Sequence, residues 1–344
     1  MDVFDQPFLS GLFGDAEVTA LWSARAQLAH MLAFEAAFSD AMGQAGRFDA
    51  VLAERAADHI AGFQPDLADL AEGCARDGLP VPALVAQLKA GAGDAAKAIH
   101  RGATSQDVMD TALALTLVAT SDVLAARLAR LADGLAELDN TFGDRPMMGR
   151  TRMQAALPVT VADRLRLWRD PVVDHAARLD AIRLQIARLS LSGPVGTGDF
   201  TDVAPAMAQR LGLGVAPSWH TDRSGVVGYA SLLALITGSL GKMGQDIALM
   251  AQQGIGEVTI AGGGTSSAMA HKQNPVLAEL LVTLARFNAA QAGAMQQAMI
   301  HEQERSGTAW ALEWMVLPQM AQATGRALSA AGDLCGQITA LGTP

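Results

Sequence analysis

Seven leucines recur at heptad-like intervals in the second hundred residues of the chain. Their successive spacings are 4, 7, 4, 3, 4 and 3 residues, at positions Leu113, Leu117, Leu124, Leu128, Leu131, Leu135 and Leu138. Such steps place side chains on one face of an α-helix, and a face sustained over several heptads packs against other helices. The segment from Asn140 to Pro146 ends the pattern. The spacing therefore predicts a long helix in the core of a helix bundle.

Further helices are predicted where apolar residues keep a similar periodicity, over residues 16–45, 159–192, 225–253, 275–300 and 318–341. Alanine, the strongest helix former, is frequent, and aromatic residues make up only 5% of the chain. Pro171 predicts a bend in the second of these helices. Together these features predict an all-α protein.

Three segments are predicted along the chain. Pro80 and Pro82 interrupt the N-terminal helices shortly before the leucine-rich helix begins. Residues 1–100 are therefore interpreted as an N-terminal helical domain, and residues 101–300 as a central helix-bundle domain with a glycine-rich loop at 261–274. Residues 301–344 are expected to end the bundle with a short C-terminal helical segment.

Charge and cysteine content limit the classes of partner and compartment. The net charge of −10 argues against nucleic acid or acidic membranes as main partners. Cys74 and Cys335 lie far apart in the sequence, which indicates neither a disulfide framework nor a zinc site. Residues 1–14 show no leader pattern, and no uninterrupted apolar run approaches the roughly 18 residues of a membrane span. We expect a soluble, cytoplasmic protein.

The glycine-rich loop has the composition of an anion site. Glycines at 262–264 give the backbone freedom, and Ser266, Ser267, Lys272 and Asn274 follow before a helix starts at a proline. A mobile loop ending at a helix N-terminus can surround an anion with hydroxyls, an ammonium group and backbone N–H groups. The alternative is an ordinary Gly/Ser linker between helices.

A second candidate anion pocket lies just before the leucine-rich helix, where residues 100–111 read His-Arg-Gly-Ala-Thr-Ser-Gln-Asp-Val-Met-Asp-Thr. Thr104 and Ser105 are good N-cap residues, and Asp107 in the first turn suits the helix dipole. His100, Thr104 and Ser105 would face the exposed N–H groups of the helix start, which together form an anion pocket. The alternative is a capped helix start and nothing more.

Five blocks of the chain resemble the fumarase/aspartase superfamily. They are Ser-Ser-x-Met-x-x-Lys-x-Asn-Pro at 266–275, His-x-Gly-x-Thr-Ser-x-Asp at 100–107, Gly-Arg-Thr-x-x-Gln-x-x-x-Pro-x-Thr at 149–160, Trp-His-Thr at 219–221, and Glu-x-Glu-Arg-Ser…Trp…Glu-Trp…Leu-Pro at 302–318. The second, fourth and fifth blocks are similar to those of the 3-carboxy-cis,cis-muconate cycloisomerases in particular.

The resemblance implies an all-α, fumarase/aspartase-like subunit with a long central helix bundle. Four subunits would form a homotetramer with a twenty-helix core, and each active site would combine blocks from three subunits. A monomer would then have no complete site. Superfamily members usually continue into a further C-terminal helical domain, which is expected to be reduced or absent here.

The implied reaction, in aromatic-compound catabolism, interconverts an unsaturated tricarboxylate and a carboxymuconolactone, and it needs no metal or organic cofactor. A carboxylate adds across a double bond, and a proton is delivered next to another carboxylate. This chemistry requires a proton-transfer group and strong stabilisation of a dianion. The implied partners are therefore a small polycarboxylate and further copies of the chain.

The matched blocks also imply roles for individual residues. Ser266 is expected to transfer the proton, with Lys272 and His100 as further catalytic candidates, while Glu279 would orient a histidine on another segment. Arg150 has the alternative role of holding a neighbouring carboxylate. The expected substrate-binding residues are Thr104, Ser105, Arg150, Thr151, Gln154, His220, Ser267, Asn274 and Arg305.

Several positions depart from the family pattern. Ala155 and Gln303 stand where cycloisomerases often have histidine, so the general acid is open, with His100 or His220 as substitutes. Arg152 occupies the position of a catalytic histidine in adenylosuccinate lyase, which weighs against nucleotide lyase activity. The alternatives are a fumarate-releasing lyase of the adenylosuccinate or argininosuccinate type, and a homologue whose catalysis is weakened or lost.

Overall fold

The computed structural model describes residues 3–265, 268–269 and 272–343, and most of them are helical. The α-helices are α1 (Ser10–Phe13), α2 (Ala16–Leu21), α3 (Ala24–Gln44), α4 (Ala50–Ala61), α5 (Leu67–Asp77), α6 (Val81–Ala90), α7 (Ser105–Phe142), α8 (Val161–Ile186), α9 (Ala204–Leu211), α10 (Ser224–Met250), α11 (Val276–Gln297) and α12 (Gly307–Gln337). A short 3-10 helix spans Gly93–Ala98. The prediction of a helical fold class is confirmed.

Helix α7 is the predicted leucine-rich helix, and its 38 residues make it the longest of the described helices. It begins at Thr104 because a capping box forms there: the Asp107 side chain accepts a hydrogen bond from the Thr104 N–H at 3.0 Å. Leu113 is partly buried and the other six leucines of the heptad pattern are buried. The predicted bundle seam is confirmed.

Helices α7, α8, α10, α11 and α12 pack around one large hydrophobic core. The approach between α10 and α11 is close because glycine lies at two contact points. A Cβ on Gly241 would lie 2.5 Å from the Cβ of Ala285, and one on Gly244 would lie 2.5 Å from the carbonyl oxygen of Ala278. Side chains at these two glycines would therefore force the helices apart.

A second hydrophobic core lies at the N-terminal end of α7. Helices α3 and α6 contact α7 there, and α4 packs against α3. Residues from the middle of the chain, between Leu189 and Leu213, complete this core. The start of α7 and the His100 segment thus belong to the second core, to which they contribute Ile99, Ala103 and Val108. Along α7, the first core begins at Leu117.

Three short antiparallel strand pairs lie outside the helix bundle. They are β1 (Pro146–Thr151) with β2 (Gln154–Thr160), β3 (Val258–Ile260) with β6 (Ile338–Leu341), and β4 (Gly264–Thr265) with β5 (Gln273–Asn274). The helical prediction for 318–341 was wrong at both ends. Helix α12 already begins at Gly307, includes Pro318, and gives way to β6 because residues 338–341 pair with β3.

Two helices, α7 and α10, are long and apolar enough to cross a membrane by length and composition. In the structure, 50% and 61% of their most apolar windows are buried. Core helices of a bundle have the same properties, and the packing of α7 and α10 inside the bundle accounts for their composition.

Candidate active site

The predicted site residues lie at two opposite ends of the helix bundle. His100, Thr104, Ser105, His220 and Arg305, which we call the His100 group, lie near the start of α7 and α10. Helix α10 then runs for 27 residues, a length of about 40 Å at 1.5 Å per residue. The hairpin β1–β2 and the described part of the glycine-rich loop lie beyond its far end.

Arg305 connects two members of the His100 group, Thr104 directly and His220 through Gln106. Its guanidinium Nη2 donates to Thr104 Oγ1 at 3.1 Å and to the Pro194 carbonyl at 3.2 Å. Its Nε donates to Gln106 Oε1 at 2.8 Å, and the Gln106 amide donates to the His220 carbonyl at 2.8 Å. The structure therefore brings together a cation, a hydroxyl and a helix N-terminus, which is the donor set that binds a carboxylate.

Asp107 fixes the backbone of this group. Besides capping α7, its carboxylate accepts hydrogen bonds from the N–H groups of Ser192 at 2.8 Å and Gly193 at 3.0 Å. His220 Nε2 lies 2.9 Å from Asp107 Oδ1. His220 is itself buried, and its Nδ1 has no hydrogen-bond partner among the described residues. The imidazole is thus positioned by Asp107, in the interior next to the start of α7.

Beneath the His100 group lies a fully buried ion cluster that sequence analysis did not identify. The Arg223 guanidinium donates to Asp110 at 2.8 and 3.1 Å and to Glu313 at 2.8 and 2.6 Å. Trp310 Nε1 donates to Asp110 Oδ1 at 3.2 Å. Burial alone would lower the pKa of Arg223, but the two carboxylates outweigh it and raise the pKa. Burial raises the pKa of the Glu313 carboxyl, and the neighbouring Arg223 guanidinium offsets only part of this rise.

The hairpin residues occupy the other end. Arg150 Nη1 donates to both oxygens of the buried Glu257 carboxylate, at 2.8 and 2.7 Å, so the alternative role for Arg150 is present in the structure. Thr151 and Gln154 are exposed beside the hairpin turn, whose residues Arg152 and Met153 have φ of 49° and 68°. Non-glycine residues are strained in this region. In a single subunit the side chains of Thr151 and Gln154 therefore face solvent.

The glycine-rich loop is closed at its root by β4 and β5, which pair Gly264 with Asn274 and Thr265 with Gln273. Gly262 has φ of 77°, a conformation that suits glycine. Lys272 is exposed. Glu279 is exposed in the first turn of α11.

Ser266 and Ser267 lie outside the described residues, so their roles stay predictions. The backbone N–H of Lys272, at the far side of the loop, donates to the Met269 carbonyl at 3.1 Å.

One pH effect follows from buried histidines. Burial lowers the pKa of His30, His175 and His301 below the ordinary value of about 6.5. The unfolded chain therefore takes up protons first as the pH falls. We expect the free energy of unfolding to be steady above about pH 6.5 and to decrease below it.

Urea unfolding at about pH 7.5 and pH 5.5 measures this decrease. Replacing His175 by Gln is expected to shrink the difference between the two values, because one of the three uncharged imidazoles is then gone. Glu313, whose pKa is raised, acts in the opposite sense and is the same in both proteins. Equal unfolding free energies at the two pH values in the wild type would contradict the prediction.

Comparisons with known proteins agree with the site blocks. A family model described as a lyase matches residues 24–288. The 3-carboxy-cis,cis-muconate cycloisomerase of Pseudomonas aeruginosa is 37% identical over 335 residues, which cover 93% of this chain and 72% of that protein. Nitrosuccinate lyase of Streptomyces davaonensis is 32% identical, covering 98% of this chain and 75% of that protein.

A solved structure shows the same relation in three dimensions. The 3-carboxy-cis,cis-muconate lactonizing enzyme of Pseudomonas putida matches with a TM-score of 0.91 at 33% identity, over 97% of this chain and 77% of that one. Because this match covers 97% of the chain, it includes both ends of the helix bundle. The chain therefore belongs to the lyase family of the fumarase/aspartase superfamily.

Proposed function

We propose that this protein is a 3-carboxy-cis,cis-muconate cycloisomerase, which forms carboxymuconolactone by proton transfer and intramolecular addition of a carboxylate. The observation that carries the proposal is the 37% identity to a cycloisomerase over 93% of the chain. The His100 group supports it, because Arg305 and the N-terminus of α7 offer the charge and the donors that a polycarboxylate needs.

The proposal includes a homotetramer, because the two groups of site residues lie at opposite ends of a helix about 40 Å long. Only other subunits, packed alongside in the opposite direction, bring a hairpin and a glycine-rich loop to the His100 group, so that each site combines residues of three subunits. Exposed apolar side chains on the long helices support such packing. They are Leu167 (57% exposed), Val173 (52%), Leu184 (80%), Leu235 (51%) and Met315 (68%).

In the assembled site, the roles follow from the chemistry. Arg305 and Thr104 bind one substrate carboxylate, while Lys272 and Asn274 from a different subunit bind another. Ser266 transfers the proton at the carbon next to a carboxylate. That carboxylate develops a second negative charge during the reaction, and these donors stabilise it. Each well-placed oxyanion donor contributes about 3–4 kcal/mol to such stabilisation. The proposed mechanism assigns each of these roles to a residue of the protein and uses no cofactor. The proposal also includes a cytoplasmic location.

Turnover of 3-carboxy-cis,cis-muconate by the purified protein tests the function. We expect the diene absorbance to disappear as the lactone forms, and the solution mass to be four times that of one chain. Adenylosuccinate, assayed in parallel, is expected to stay intact. Absence of turnover with 3-carboxymuconate at the tetramer mass would overturn the proposed function, while a monomer mass would overturn the shared site.

A second candidate is a lyase that releases fumarate from a substituted succinate. It is favoured by the 32% identity to nitrosuccinate lyase, which covers 98% of the chain. Both reactions remove or add a proton next to a carboxylate, so the same residues serve either. Appearance of fumarate from a succinyl compound, with no consumption of 3-carboxymuconate, would select this candidate.

A further inference from the structure

A buried carboxylate that the proposed mechanism does not use lies behind His100. Glu35 on α3 is fully buried, and its Oε1 lies 2.5 Å from His100 Nδ1. Its Oε2 is also buried and has no hydrogen-bond partner among the described residues. Within the part of the chain that the structure describes, the contact with His100 Nδ1 is therefore what holds the Glu35 carboxylate in place.

Packing alone gives no reason for a carboxylate at this position. The neighbours Phe34, Ala36, Ala37 and Phe38 on the same helix are all buried and apolar. An ionised carboxylate in such surroundings costs several kcal/mol unless it is paired. A leucine or methionine would fill the space without this cost, so the acid at residue 35 points to a role exerted through His100.

The geometry of His100 agrees with such a role. Its φ of 55° is unusual for a residue other than glycine, and such strain persists only where the surroundings impose it. The side chain is 16% exposed, while that of Glu35 is 0% exposed. Since Nδ1 faces Glu35, Nε2 is the ring nitrogen left for other contacts, on the segment that leads into Thr104 and the start of α7.

We propose that Glu35 is a positioning residue, which holds the Nδ1–H of His100 and so presents Nε2 to the substrate. When Nε2 takes up a proton, the ring becomes an imidazolium whose charge the Glu35 carboxylate balances. When Nε2 returns the proton, the ring is neutral with its proton on Nδ1. This inference rests on the proposed function, because it assigns His100 a place against the bound polycarboxylate.

Replacing Glu35 by Gln tests the proposal with little change in shape. The Gln carbonyl still accepts from Nδ1–H, but the negative charge is gone. A general acid–base group contributes about 10²–10⁴-fold, so we expect kcat to fall by about tenfold or more while KM changes by less than about threefold.

Ser39→Ala is the matched control, because Ser39 lies one turn further along the same buried face of α3. Its hydroxyl donates to the Ala98 carbonyl at 3.2 Å and does not contact the imidazole of His100. We expect kcat of this variant to stay within about twofold of the wild type. An equal loss of kcat in Ser39→Ala and Glu35→Gln would overturn the proposal, because both would then report a general disturbance of α3.

A double-mutant cycle separates positioning from a purely structural role. In a His100→Asn background, Glu35→Gln is expected to have no further effect on kcat, since it acts through the missing imidazole. If Glu35→Gln lowers kcat by the same factor in both backgrounds, Glu35 acts independently of His100 and the proposal is wrong.

A readout without substrate keeps this proposal separate from the proposed function. In protein with ¹⁵N-labelled histidine, we expect the His100 ring to be protonated at Nδ1 in the wild type. Glu35→Leu should change its ring-nitrogen signals to those of a different or mixed tautomer. Unchanged His100 signals in Glu35→Leu would overturn the positioning role, whereas changed signals in a protein inactive on 3-carboxymuconate would support it and refute only the proposed function.

Discussion

Replacing Ser266 by Ala is expected to lower kcat for 3-carboxy-cis,cis-muconate by about 10²–10⁴-fold, the contribution of a group that transfers a proton in the transition state. The fold should survive the change. On both sides of the loop, the backbone is held by strand pairs, Gly264 with Asn274 and β3 with β6. The measurement is the loss of diene absorbance, together with the solution mass of the variant.

Thr265→Ala is the matched control for this prediction. Thr265 is the exposed neighbour of Ser266, and its backbone pairs with Gln273. Its hydroxyl has no role in the proposed mechanism, and we expect kcat within about twofold of the wild type. An unchanged kcat in Ser266→Ala, in a protein of wild-type mass, would remove this serine from the mechanism.

The largest expected effect on stability comes from Arg223→Met. The substitution leaves the carboxylates of Asp110 and Glu313 side by side in the core without a counter-charge. Breaking a buried ion pair by removing one partner costs about 3–5 kcal/mol. Methionine keeps most of the apolar contact of the arginine stem, so the loss reports the charge. Urea unfolding of wild type and variant measures the difference in free energy.

Two further variants make this test specific. Arg183→Met breaks the exposed ion pair of Arg183 with Asp122 and is expected to cost only about 0–1 kcal/mol. Adding Asp110→Asn and Glu313→Gln to Arg223→Met removes both unbalanced charges and should recover much of the lost stability. A triple variant no more stable than Arg223→Met would show that the charge imbalance is not the cause.

The helical periodicity was sufficient to predict the architecture. The leucine spacing placed a long core helix after Thr104, and the structure has it at Ser105–Phe142. The periodicity did not predict correctly where each helix ends. Residues 338–341 continue a helical pattern, yet they form β6, because pairing with Val258–Ile260 is available only in the folded chain.

The polar contacts of the site were likewise predicted where they are local in sequence and missed where they join distant segments. Thr104 was recognised as a helix cap from neighbouring residues, since capping is local. Glu35 was missed, although an acid within an apolar helical stretch is a usable signal. Asp110 and Arg223 were also not identified as a pair, because 113 positions separate them in the sequence.

By itself, the sequence determined the helical class, the long bundle helix, the superfamily blocks and the candidate residues for binding a polycarboxylate. These depend on local periodicity and on residue types at fixed spacing. Only the tertiary structure decided that Glu35 holds His100, that Arg223 lies between two buried acids, and that the site blocks lie at opposite ends of the bundle. Such relations depend on distances between segments far apart in the chain, which packing alone sets.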